Sequence, residues 1–468
     1  MLPGKKITAP EIYALAFGLF LGLTIWKFGN PVILDQKIIP PASPADFWND
    51  AWPVHWARWI FWPLAMVGAI FAFSKNPRWP AAKWLWRLPL TWFGWQVFSA
   101  GQSEYADLTA PTLWQYAGCV AGYFLGAFLF RDRRALNFLL AGILAAFTFC
   151  LVRAVDQRLF EFPQSLQMLV ESERAGWTNM PPEMLLEMKR EQVVVTTNGV
   201  DVANPVILAK FAKGRVMGTL VYPNALAGAI LLLFPVSLAV AFGATKKLKP
   251  AIRLAVIALA IFLGGAAFFW TGSKLGWLIA LGTVGIFLLR LGWPKKLKLA
   301  AIAAVLIFGL GIFAVRFHNY FATGATSVGA RFDYWRAAWQ TTAANPVAGS
   351  GPGTFQRPYA KLKSPGAEMA RLAHNDYLEQ FSDSGVVGGL AYAIWIVSAL
   401  MIVGRHTWKS GDTLAWAVFA GLLGWFVQGL GEFGLFIPAL AFTAFTLLGA
   451  QIGINSTKNG QTASLKRQ

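Results

Sequence analysis

A series of long, uncharged apolar runs limits what this chain can fold into. Crossing about 30 Å of hydrocarbon takes roughly 17–25 helical residues. Runs of that kind recur near 11–28, 57–74, 84–100, 112–130, 135–152, 221–243, 252–270, 274–291, 299–316, 384–403, 413–430 and 434–453. Inside a bilayer no water is present to satisfy backbone polar groups, so each run must bond within itself as a helix. Twelve runs predict an all-α polytopic membrane protein. Composition agrees, since 13% of the 468 residues are charged, about half the ~25% of a soluble domain. The first run follows Lys5 and Lys6 and ends at Trp26, Lys27 and Phe28, with no small-residue cleavage site, so a retained first helix is expected. Cys119 and Cys150 fall within runs and act as small hydrophobes, so no disulfide is expected.

The net charge of +19 would suggest nucleic acid in a soluble protein. Its distribution says otherwise. With the N-terminus cytoplasmic, the cytoplasmic segments are 1–10, 75–87, 131–134, 244–253, 290–298, 404–412 and 454–468. They hold 22 Lys and Arg against three acids, Asp132, Asp412 and the adjoining Glu11, which is the whole excess; the rest of the chain is neutral. Basic residues retained on the cytoplasmic side set topology, and no nucleic acid is needed. The expected organisation is five helices in 1–152, a long outer loop at 153–220, helices six to nine in 221–316, a larger outer loop at 317–383, three helices in 384–453 and a cytoplasmic tail at 454–468. The tail is polar, and disorder is expected there.

Within the first long loop, Pro181 to Glu191 reads as a short acidic helix. Val193 to Thr197, Asn198-Gly199 and Val200 to Val202 read as a small hairpin. The second loop opens with a helix from Val328 to Ala344, N-capped by Ser327 and ended by Asn345-Pro346. Gly349, Gly351 and Gly353 form a turn; with no Lys-Ser/Thr after them they are no nucleotide cradle. His374 precedes a short helix, Asp376 to Ser382.

Carriers place ionisable groups deep in their spans. Here the spans are nearly free of charge, with Lys274 and Glu432 at outer ends, and the ionisable groups gather in the outer loops. A reaction at the outer membrane surface is therefore favoured over ion-coupled transport. Lys210, Lys213 and Arg215 precede the sixth span; they read equally as headgroup contacts or as a phosphate clamp, because guanidinium matches phosphate oxygens in a fork. Arg331 and Trp335 lie one helical turn apart, with Asp333, Tyr334 and Arg336 between and beside them, as they would on any amphipathic surface helix too. Of four histidines only His374 lies among polar loop residues. Imidazole exchanges protons near neutral pH, which makes it the candidate general base. No Asp-x-Asp pair, metal-ligand cluster, Gly-x-Ser-x-Gly or Walker sequence is present.

Several of these residues recur in a familiar order: Arg215, Gly218 and Pro223-Asn224; Thr271-Gly272-Ser273-Lys274-Leu275-Gly276; Arg331 with Trp335; Asn345-Pro346 with Gly349, Gly351, Gly353, Thr354 and Phe355; and His374-Asn375 with Leu378-Glu379, Gly385 and Gly388. In that order, over roughly 200–400, the chain resembles the bacterial O-antigen ligases and the related O-antigen polymerases. The resemblance implies a GT-C-like glycosyltransferase of the inner membrane that uses no metal or other cofactor. Its donor would be a glycan on undecaprenyl pyrophosphate, its acceptor lipid A-core or another glycan, and its face periplasmic. Carried over, His374 would take the acceptor proton, and Arg215, Arg331 and Lys274 would hold the pyrophosphate, with Asn224, Arg336 and Asn375 in support. Lys274 stands where the family more often has Arg, keeping the charge without the fork. Polymerisation, or transfer to protein Ser or Thr, would use the same loops; a lipid-linked glycan flippase would need a polar path through the spans.

Overall fold

The computed structural model describes residues 7–29, 38–74, 79 and 82–465. Lys5 and Lys6, part of the basic loop at 75–87 and the last three residues of the tail lie outside them. Each of the twelve runs is a helix: α1 (Ala9–Lys27), α3 (Val54–Phe73), α4 (Trp84–Ala100), α5 (Ala106–Leu129), α6 (Arg133–Asp156), α10 (Pro223–Ala244), α11 (Pro250–Thr271), α12 (Lys274–Arg290), α13 (Lys295–Ala322), α16 (Asp376–Ser410), α17 (Thr413–Gln428) and α18 (Pro438–Leu465). Eight stretches, those of α1, α3, α6, α10, α11, α13, α16 and α18, are long and apolar enough by themselves to cross a membrane. The short helix α2 (Pro44–Asn49) lies between α1 and α3.

The helices pack mainly as the pairs α1–α6, α5–α18, α10–α17 and α4–α16. Glycine permits the closest crossings: a Cβ on Gly142 would stand 2.4 Å from the Gly18 backbone, and one on Gly449 would overlap the Tyr123 carbonyl. Backbone proximity of this kind drives helix association where water cannot. The α18 span is 89% buried and that of α13 only 6%, so α18 is the centre of the bundle and α13 its rim. At the basic end, Asp132 caps α6 and Asp412 caps α17 through two backbone N–H groups each. Asp412 also pairs with Arg133 at 2.9 Å, and Glu11 with Arg134 at 3.0 Å. The few acids at that end thus have structural partners. The tail differs from expectation: α18 continues to Leu465, because extending a formed helix fixes one residue per added hydrogen bond.

In the first long loop, α6 passes through a π-turn (Gln157–Glu161) into α7 (Phe162–Arg174), followed by α8 (Pro182–Arg190), strands β1 (Val194–Thr197) and β2 (Val200–Ala203), and α9 (Pro205–Lys213). The hairpin is as read, with Thr197 opposite Val200 and positive φ at Asn198 and Gly199. Helices α7 and α9 were not foreseen. They close on Leu169, Trp177, Val194 and Ala203.

The second long loop holds α14 (Thr326–Ala344) and α15 (Gln356–Leu362). Ser327 is not the cap of α14. Ala325 takes that place at φ 49°, and Ser327 Oγ lies 2.5 Å from Tyr320 Oη instead; an oxygen inside the first turn no longer reaches the orphan N–H groups. The glycines do form a turn. Ser350 N–H and Gly351 N–H donate to the carbonyls of Ser382 and Asp383, both at 2.9 Å, and Gly353 N–H donates to Asp383 Oδ2 at 2.7 Å. These contacts meet α16 where it breaks, at Ser384 and Gly385 (φ 67°, ψ −169°). The expected short helix and the tenth span are the two halves of α16.

Candidate active site

Three loops converge at the end of the bundle that carries the long connections. Arg215 leaves α9 after the left-handed Gly214 and is held by its fork: Nε donates to the Thr271 carbonyl at 2.7 Å and Nη2 to Asn224 Oδ1 at 2.9 Å. The Thr271-Gly272-Ser273 turn, with Gly272 at φ 60° and Ser273 capping α12, supplies that carbonyl and projects Lys274 beside it. The π-turn braces the same loop, because Gln157 Oε1 accepts from Met217 and Gly218 N–H at 3.1 and 2.8 Å. Such turns inside long helices often mark functional sites.

Glu432 is the hub. Its side chain, 6% exposed, accepts from Arg331 Nη2 at 2.5 Å and Asn224 Nδ2 at 2.7 Å through Oε1, and from Tyr222 Oη at 3.1 Å through Oε2. His374 Nδ1 lies 3.7 Å from the same Oε2. Four residues, the farthest of them 210 positions away in sequence, therefore meet on one carboxylate. The His374 ring stacks on Tyr334 (centroids 5.7 Å apart) and meets Phe433 edge-on at 4.8 Å. Its backbone sits at φ 51°, a strained value for a residue with a Cβ that persists only where neighbours impose it.

The first turns of α16 impose it. Glu379 Oε2 accepts Ala373 N–H at 2.5 Å. Asn375 caps α16 by accepting from Tyr377 and Leu378 N–H at 3.1 and 3.0 Å. The first helical residue, buried Asp376, accepts Leu435 N–H at 3.1 Å, steadying the loop that carries Glu432, and Asp383 holds the glycine turn. Three buried acids on one face of α16 thus each anchor a different site loop.

Arg215, Lys274, Arg331 and His374 all line one cleft of about 840 Å³, with Asn224, Tyr222, Trp335 and Glu432. The Lys274 ammonium sits 3.7 Å over the Tyr320 ring. Burial lowers the Arg215 pKa against the opposing pull of Tyr222 and Glu432, yet a guanidinium stays charged at any physiological pH. Two sequence candidates serve elsewhere. Arg336 is absent from this cleft, bonding Asp333 at 2.5 Å, the Leu362 carbonyl and Ser364 on the outer side of α14. Five positions is too far round a helix from Arg331 for both to face one cleft. Asn375 caps α16 and does not line this cleft. Glu432, Tyr222 and Tyr334 were not singled out as site residues; Glu432 was legible only as an acid ending a span.

Two buried nitrogens facing this region, Arg331 Nε and Trp335 Nε1, have no hydrogen-bond partner, while His374 Nδ1 faces the Glu432 carboxylate. Unsatisfied buried polar groups are scarce in proteins, and two on the walls of one cleft point to an acceptor-rich ligand such as a phosphate ester. With three fixed cations beside them, the cleft suits a diphosphate.

Residues 257–393 match the O-antigen ligase family. The matched stretch holds the α11–α12 turn, Arg331, the glycine turn and His374, and so bears out the resemblance read from sequence; Arg215 and Glu432 fall outside it. No curated protein matches the chain.

Proposed function

We propose that this membrane protein, an O-antigen ligase relative over residues 257–393, moves a glycan from a polyprenyl diphosphate, undecaprenyl pyrophosphate in bacteria, to an acceptor hydroxyl. The single observation that carries this is the cleft in which cations from three separate loops and one imidazole meet, with two buried N–H groups lacking partners. The acceptor oxygen attacks the anomeric carbon, the bond from that carbon to the phosphate oxygen breaks, and the electron pair leaves on the lipid diphosphate. Arg215, Arg331 and Lys274 face the charge that grows on the leaving group, where fixed cations lower the barrier by several kcal/mol. The acceptor proton goes to His374. Its Nδ1 side lies toward Glu432, so Nε2 takes the proton and the carboxylate stabilises the imidazolium formed. No step asks for a metal.

The basic segments at the opposite end of the bundle support cytoplasmic termini and a periplasmic cleft. Lipid A-core ligation is the favoured use, since Arg331 and His374 come from one late loop; extension of a glycan or transfer to protein would run the same chemistry on another acceptor. The test is the reconstituted protein with a lipid-linked glycan. His374→Ala is expected to lose 10²–10⁴-fold in turnover, the usual worth of a general base, while still binding diphosphate. Arg331→Ala is expected to weaken donor use. Undiminished transfer by either variant removes the enzymatic role, and glycan that crosses the bilayer untransferred makes the chain a carrier.

A further inference from the structure

A second cleft, of about 550 Å³, adjoins the first on the outer side of α14, within the size range of small-ligand pockets. The two share Ala330, Tyr334 and Glu368, whereas Arg215, Lys274, His374 and Glu432 line only the larger one. Tyr334 is therefore the partition, with His374 stacked on it at 5.7 Å.

We infer that this second cleft seats a sugar ring of the acceptor glycan, stacked on Phe332 and hydrogen-bonded by Glu368 and Arg336. The inference rests on the transfer chemistry proposed above. An acceptor that displaces a diphosphate must approach from the side away from the cations, and across Tyr334 the smaller cleft lies on that side. Its floor is fixed in advance. Asp333 accepts Ser364 Oγ at 2.7 Å and pairs with Arg336 at 2.5 Å, while Tyr359 Oη lies 3.1 Å from Asp333 Oδ2 and 3.0 Å from the Glu368 carbonyl. Burial raises the Asp333 pKa, but the hydrogen bonds from Ser364 and Tyr359 and the charge of Arg336 outweigh it and lower the carboxyl overall, so the floor stays ionised. Two groups stand above it. Phe332 is 61% exposed on a loop helix and meets only the edge of Trp335, ring centroids 5.5 Å apart, among the described residues, and there the Glu368 carboxylate shows no hydrogen bond or ion pair. A pyranose has an apolar C–H face and a ring of hydroxyls, which an aromatic platform rimmed by a carboxylate and a guanidinium complements. Backbone donors of the lining are already engaged, Ser364 N–H with Asp333 at 3.3 Å and Ala367 N–H with the Ser364 carbonyl at 3.0 Å.

The experiment is binding without donor. Full-length protein in nanodiscs is titrated with a delipidated core oligosaccharide, followed by saturation-transfer NMR. Wild type is expected to bind, Phe332→Ala and Glu368→Gln each to weaken binding about tenfold or more, and Arg215→Ala to leave it unchanged. Equal affinity in Phe332→Ala, or loss in Arg215→Ala alone, would overturn the assignment by putting the sugar elsewhere. A Ser/Thr peptide that competes for the cleft would overturn it in favour of a protein acceptor. Oligosaccharide binding with these mutant effects but no transfer from any lipid diphosphate would sink the proposed function and leave this subsite standing.

Discussion

Glu432→Gln tests the electrostatic construction of the cleft most directly. The carboxylate is the counter-ion of Arg331 at 2.5 Å and also accepts from Asn224 and Tyr222. Glutamine keeps the shape but removes the charge, and its amide turns a donor toward Arg331, Asn224 or His374. Breaking one side of a buried ion pair costs about 3–5 kcal/mol. With an unfolding entropy of about 2.1 cal/mol/K per residue, a chain of this length should melt roughly 3–5 °C lower. Binding should move the other way. One negative charge about 5 Å from a phosphate, at an effective dielectric between 20 and 80, repels it by about 1–3 kcal/mol. Removing that charge should tighten binding of undecaprenyl diphosphate by about tenfold, measured as product inhibition or by calorimetry, while turnover falls because the leaving group is released more slowly and the imidazolium loses its carboxylate. A variant that melts as wild type and binds diphosphate no more tightly would show that Glu432 is not the counter-charge of this cation set.

Other outcomes follow from the contacts around the cleft. Glu379→Ala should strand the Ala373 N–H, a loss of about 1–3 kcal/mol, and lower kcat with little change in donor KM; Glu379→Gln, which can still accept that N–H, should restore kcat, and failure of that rescue would deny the positioning role. Gly385→Ala should destabilise the break in α16 severely, because φ 67°, ψ −169° is essentially closed to L-residues and the new Cβ would stand 2.4 Å from the Pro346 carbonyl; a melting temperature within 1 °C of wild type, measured by thermal unfolding in detergent, would contradict this. Arg215→Lys should keep the charge yet lose the bonds to Thr271 and Asn224, raising donor KM about tenfold or more, at about 1.5–3 kcal/mol per charged hydrogen bond; equal KM values would mean that charge alone matters there.

The membrane helices were legible because a bilayer allows so few solutions. A run of some twenty apolar residues has to be a helix wherever it packs, and counting Lys and Arg orders the ends. Short-range signals also survived: Asn198-Gly199 makes its hairpin turn, and the three glycines make theirs. The same local reading placed a cap on Ser327 and ended the last helix too early, where two residues of register or a continued helix decide.

What only the tertiary structure decided is which polar groups meet. Arg87, Pro89 and Gln96 break the apolar run of α4 in the sequence. Gln96 in fact donates to Gln380 and Ser384, each at 2.8 Å, and Trp92 donates to Gln380 at 2.9 Å, so that face of α4 braces the break in α16 beneath the site. Arg331 and Arg336 were equivalent as text but separate on opposite sides of α14. Glu432 was a charge at a span end until the fold set Arg331, Asn224, Tyr222 and His374 around it. Residue type and spacing fix what each segment must become in lipid. Which side chains share a carboxylate depends on contacts across more than 200 residues, and no local pattern encodes them.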